Sequence, residues 1–213
     1  MLTVLIFACG LFCGSIIKWL AWKVPKEEKD DKLRKDVVIY IKELVNKRTI
    51  IASFVGLIYC IFYLKYGITI YFFKYCVVGS VLLLIAIIDY RTKYVYFSTI
   101  CVSVILNLGF IGIELFNGAG VKTYIMGALF VLVVSTILSF LKVFGLGDVE
   151  IFFVCGLLTG LYKTVIIMLV SIVICGLYGI YIVVKERKIL IKMRVAFGPY
   201  IVAALLFTII FLK

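Results

Sequence analysis

Residues 68–93 read ITIYFFKYCVVGSVLLLIAIIDYRTK, an almost unbroken apolar run that ends abruptly on Asp89, Tyr90 and Arg91. A helix of this length reaches across the roughly 30 Å hydrocarbon layer of a bilayer, where a helix satisfies its own backbone polar groups. Similar runs recur at about 2–23, 50–64, 98–115, 124–141, 164–184 and 195–212, with a shorter apolar piece at 151–162. Hydrophobic residues make up 65% of the 213 positions and the mean hydropathy is +1.24, which leaves too little polar surface to cover a water-soluble globule. The expected fold is all-α, a polytopic transmembrane helix bundle of about eight passes. It forms a single membrane-embedded domain over 1–213. The segment 24–49 carries KEEKDDKLRKD before VVIYIKELV, which reads as a charged cytoplasmic loop entering a short amphipathic helix on the membrane surface.

The net charge of +12 lies mostly between the apolar runs, where lysine and arginine meet anionic lipid headgroups, and nucleic acid is not an expected partner. Segments 23–48, 90–97, 142–150 and 185–194 hold nine, two, one and five basic residues. Counting 151–162 as a crossing puts all four on one side, so the expected arrangement has both termini outside and these loops in the cytoplasm. The plasma membrane is the expected location. Residues 2–23 lack the basic start of a signal peptide and are long enough to span, so they are read as the first membrane helix. The cysteines (Cys9, Cys13, Cys60, Cys76, Cys101, Cys155 and Cys175) all fall inside apolar runs and read as small core hydrophobes.

Histidine is absent, which removes Ser-His-Asp and Cys-His catalysis together with the commonest metal ligand. No metal site is expected, since the cysteine spacings match no zinc pattern. Most acids sit among basic residues in loops, which leaves Asp89, Glu114, Asp148 and Glu150. A carboxylate at the edge of hydrocarbon is costly, so Asp89 is either functional or a helix terminus paired with Arg91. Asp148 lies in FGLGDVE (144–150), on the same expected membrane face as Asp89. Gly145 and Gly147 free the backbone to turn and to approach closely, and the competing reading is a plain turn with a capping aspartate. Two carboxylates in a dry site share a proton, so one can activate water while the other protonates a scissile peptide. Glu150 is read as an electrostatic neighbour of this pair and Glu114 as an interfacial anchor at the other end of its helix.

An aspartate after an apolar run, followed about sixty residues later by GLGDVE, resembles the GxGD aspartyl peptidases of the type IV prepilin peptidase family. Ala196-Phe197-Gly198-Pro199-Tyr200 is similar to that family's PFGP signature, and Gly14-Ser15-Ile16-Ile17 leading to Val24-Pro25 is similar to its N-terminal GSFLNVVIYRLP stretch. The four matches occur in the family's order across nearly the whole chain. The resemblance implies that Asp89 and Asp148 are the catalytic pair, with Gly145, Gly147, Glu150, Phe197, Gly198 and Pro199 shaping the site. It implies cleavage of the basic leader of type IV prepilins or pseudopilins, after a glycine, at the cytoplasmic face. Proteolysis then needs no cofactor. The family commonly also N-methylates the new terminus with S-adenosylmethionine as donor. Here the chain departs from the pattern, because loop 24–49 is short and lacks the two CxxC pairs of many members. Glu150 stands where the family usually has Lys, and Tyr96 where a Pro often follows the first Asp.

Three competing readings remain. Preflagellin peptidases and the pilin-maturing enzymes of tight-adherence systems share the dyad, but segment 1–25 argues against both. An ion- or proton-coupled transporter would use the same acids without cutting any peptide. A thiol peptidase for signalling peptides would have no histidine base.

Overall fold

The computed structural model describes residues 1–24, 37–142, 144–186 and 196–212, with side chains from 37–49 and 185–186 left aside. Eight helices follow one another among the described residues: α1 (Leu2–Lys23), α2 (Val37–Tyr66), α3 (Ile70–Thr92), α4 (Phe97–Phe116), α5 (Lys122–Phe140), α6 (Leu146–Thr159), α7 (Leu161–Glu186) and α8 (Gly198–Phe211). The chain is thus an all-helical, multi-pass membrane bundle. Five helices (α1, α3, α4, α5 and α7) are long and apolar enough to cross a membrane, and Ile50–Tyr66 and Gly198–Phe211 are shorter apolar helices. The apolar run expected from residue 50 is the second half of α2, whose backbone is helical without a break from Val37. The charged stretch 25–36, Pro25 of the N-terminal motif and the basic residues of 187–194 lie outside the described residues.

Small residues set the closest helix contacts, because in lipid, where apolar burial drives little association, tight backbone approach supplies much of the attraction. Gly10 and Gly14 of α1 lie against Gly56 and Ala52 of α2, so close that a Cβ on Gly10 would stand 2.6 Å from the Gly56 Cα. The N-terminal motif residue Gly14 therefore packs α1 on α2, and Ser15 donates to the Leu11 carbonyl of its own helix. Gly10→Leu should force these helices apart and cost about 1–3 kcal/mol of stability. Thermal unfolding of the detergent-solubilised protein reads this directly, and an unchanged midpoint would show that the contact does not matter.

A second glycine seam seats α6. A Cβ on Gly156 would meet the Ala128 backbone at 2.6 Å, and one on Gly127 would meet the Gly160 backbone at the same distance. Gly160, with φ +79°, also lies beside Thr123 in the first turn of α5. The 14 residues of α6 rise only about 21 Å, yet they run antiparallel to α5 from the turn after Phe140 back to its start. Ile151, Phe152, Val154, Cys155 and Leu158 of α6 are buried. They form the centre of the core together with Val78 and Leu82 of α3 and Ile201, Leu205 and Ile209 of α8. The outward faces of α1, α4, α5 and α7 are apolar and exposed, as lipid contact requires.

Glu114 is not the interfacial anchor that its position at a helix end suggests. It is buried beside Lys74 of α3, with Nζ and Oε1 3.0 Å apart, and the Lys74 ammonium lies 3.7 Å from the centre of the Tyr124 ring. An intramembrane charge needs a partner in the bundle, and α3 supplies one forty residues away in sequence.

Candidate active site

Asp89 lies in the last turn of α3 and is 5% exposed. The helix ends just beyond it, where Lys93 takes a left-handed conformation (φ 54°) and donates its N–H to the Asp89 carbonyl at 2.7 Å. The side chain turns toward α8, and its Oδ2 accepts the Gly198 N–H at 2.9 Å. Gly198 opens α8 and Pro199 follows at a position where its missing N–H costs nothing, so the positive end of that helix faces the carboxylate. Arg91 turns the other way, donating to the Ala21 carbonyl of α1 and stacking its guanidinium over Trp22 at 4.3 Å. The observed partner of Asp89 is thus the α8 terminus.

Asp148 is held by the same device. It is the third residue of α6, and its Oδ2 accepts the N–H of Gly145, the residue that caps this helix, at 2.9 Å. The Asp148 N–H returns a bond to the Gly145 carbonyl at 3.1 Å, closing the turn. The capping reading puts Asp148 at the cap position itself, which Gly145 occupies; Asp148 closes the turn from the third helical position, and this does not exclude chemistry. Each aspartate therefore has one oxygen fixed by the N–H of a glycine at a helix start.

The residues before these glycines are both phenylalanines, and they stack. The rings of Phe144 and Phe197 lie 4.9 Å apart at 27°, and Phe152 of the buried α6 face packs on both, at 5.6 Å and 6.1 Å. This aromatic trio ties the start of α6 to the start of α8. A second tie comes from Gly147, where a Cβ would stand 2.8 Å from that of Val95 in the turn after α3. The end of α3 and the start of α6, which bear the two acids, are thereby drawn to one end of the bundle.

The remaining residues singled out from sequence fall around this arrangement. Gly145, Gly147, Phe197, Gly198 and Pro199 are all in its immediate frame. Glu150 is partly exposed and lines a separate cavity between α4, α5 and α6. Phe152 and Val95 were not singled out; their part depends on contacts with residues distant in sequence.

Residues 76–180, which include both aspartates, match the type IV leader peptidase family, the same family the motifs resemble. The match over that segment supports a peptidase. No curated protein sequence and no solved structure matches the chain. The matched segment stops before Phe197-Gly198-Pro199, so the contact of Gly198 with Asp89 is an independent structural link between that motif and the family region.

Proposed function

We propose, from the premise that residues 76–180 are those of the type IV leader peptidase family, that the chain is a prepilin leader endopeptidase working through Asp89 and Asp148. The observation that carries this reading is the matched clamping of the two carboxyls by Gly198 and Gly145, under stacked Phe197 and Phe144. An acid pair in a site shielded from bulk water holds one proton between its members. The ionised member takes a proton from a water molecule as that water attacks the scissile carbonyl. The protonated member polarises that carbonyl and then supplies the proton to the leaving amine. Fixing Oδ2 of each aspartate leaves the other oxygen for water and peptide, and it removes motions that would lower the fraction of productive encounters.

The substrate in this reading is a type IV prepilin or pseudopilin with a basic leader, cut at the cytoplasmic face of the plasma membrane. The pair needs no added cofactor for hydrolysis. N-methylation of the new terminus would draw on S-adenosylmethionine and would be a separate activity of the same chain.

The test uses the protein in lipid vesicles with a tagged prepilin, reading the new N-terminus and its mass with and without S-adenosylmethionine. Cleavage after the leader glycine is expected. A panel of prepilins left intact, with ion flux that depends on the acids, would instead establish the transporter reading. A methylated product appearing only with S-adenosylmethionine would add the second activity, and its absence would remove it.

A further inference from the structure

The last turn of α3 carries Asp89, and a helix end is where the backbone hydrogen bonds run out. The turn is closed locally by the Lys93 N–H on the Asp89 carbonyl and by the Thr92 hydroxyl, which donates to the Ile88 carbonyl at 2.9 Å. Neither bond sets which way the turn faces. Two side chains of this turn reach other helices: Asp89 accepts the Gly198 N–H of α8, and Arg91 donates to α1. Two residues along a helix is about 200° of rotation, so these ties pull in nearly opposite directions and hold the turn between α1 and α8.

The tie to α1 suits an arginine. Because α1 ends at Lys23, the Ala21 carbonyl is among the last for which the helix itself offers no donor, and a cation there also answers the negative end of the helix. Ala21 is buried, so the anchor point belongs to the packed part of α1. Arg91 donates to this carbonyl while its Cζ lies 4.3 Å from the centre of the Trp22 ring. A planar guanidinium can donate from its edge while its face meets a ring, which an ammonium cannot do.

We propose that Arg91 is a positioning residue for Asp89: braced on Ala21 and Trp22, it fixes the rotation of the last α3 turn so that the Asp89 carboxyl meets Gly198. The brace also keeps this guanidinium away from Asp89, where it would occupy both carboxylate oxygens. The effect on rate rests on the peptidase reading, and it gives α1, which carries neither acid, a part in the site.

The test uses the protein in lipid vesicles with Trp22→Leu, Trp22→Phe and Arg91→Lys. All three keep every charge of the chain, and Trp22→Phe keeps an aromatic face. Without substrate, the apolar carboxyl reagent dicyclohexylcarbodiimide is added, and the labelling rates of Asp89 and Asp148 are read by mass spectrometry. Asp89 should react about fivefold faster in Trp22→Leu and Arg91→Lys, the factor that a contact of this kind contributes, with Trp22→Phe near wild type and Asp148 unchanged throughout. Equal Asp89 rates in all of these proteins, or a parallel rise at Asp148, would overturn the proposal. With a prepilin substrate, kcat should fall about tenfold in Trp22→Leu and Arg91→Lys at unchanged KM. A raised KM at full kcat would make Arg91 a contact for the substrate and remove its positioning role. A wild type that cuts nothing would remove the peptidase reading, and the labelling rates would still decide whether Arg91 positions Asp89.

Discussion

Asp89→Asn and Asp148→Asn should each lower the rate of leader cleavage by about 10³-fold, with the protein still inserted at wild-type abundance. Asparagine keeps the size of the side chain and a carbonyl oxygen that can accept the Gly198 or Gly145 N–H, so the clamps survive. What it removes is the proton. With Asn at either position one group can no longer exchange a proton with water or with the leaving amine, and the two groups act only as a unit. The double variant should therefore be about as slow as either single one, because a residue without its partner has little left to lose. Single-turnover cleavage in vesicles measures this. Full activity in either single variant would remove that residue from the chemistry, and losses that multiply would show that the two aspartates act separately.

The expectations that hold best are those that depend on local pattern. Hydropathy locates the apolar helices because a span must be continuous and apolar whatever it packs against, as in the run ending at Ile88. The first part of α2 is read from sequence as a separate short amphipathic helix, and what the pattern does not show is that its backbone runs unbroken from Val37 into the apolar run at residue 50. The sixth helix, α6, is visible as an apolar piece at 151–162. Its depth is not, because that is set by the contacts of Gly156 and Gly160 with α5. Glu114 is misread for a similar reason. Its position at a helix end suggests an anchor, whereas its surroundings are decided by Lys74 on another helix.

The site divides in the same way. Asp89 and Asp148 stand out because an acid bordering an apolar run is expensive. Phe197-Gly198-Pro199 stands out by resemblance alone, since nothing in the local sequence tells where the Gly198 N–H points. The pairing of two Phe-Gly steps, 144–145 and 197–198, is written in the sequence, but its meaning appears only when the rings stack and each glycine meets its aspartate.

That geometry makes Gly198→Ala the most informative change outside the acids themselves. A Cβ at this position would stand 2.7 Å from Asp89 Oδ2 and 3.3 Å from its Cβ and Cγ, closer than packed atoms tolerate. The short aspartate side chain has one way to yield, which is to rotate its carboxyl away. The donor it abandons is the N–H of the residue that displaces it. A shift on the order of 1 Å at a reacting group is enough to cost about 10² in rate. The fold should persist, since Ile201, Leu205 and Ile209 anchor α8 in the core independently of its first residue. Gly145→Ala provides the graded comparison. There the new Cβ would lie 3.3 Å from Asp148 Oδ2, a contact that a few tenths of an ångström relieve, so its loss should be much smaller. The measurement is kcat for both variants beside a thermal midpoint in the same detergent. A fall in kcat for Gly198→Ala at an unchanged midpoint, well beyond that of Gly145→Ala, would tie rate to the position of the Asp89 carboxyl. Equal, small effects would mean that the clamp on Asp89 does not set the rate.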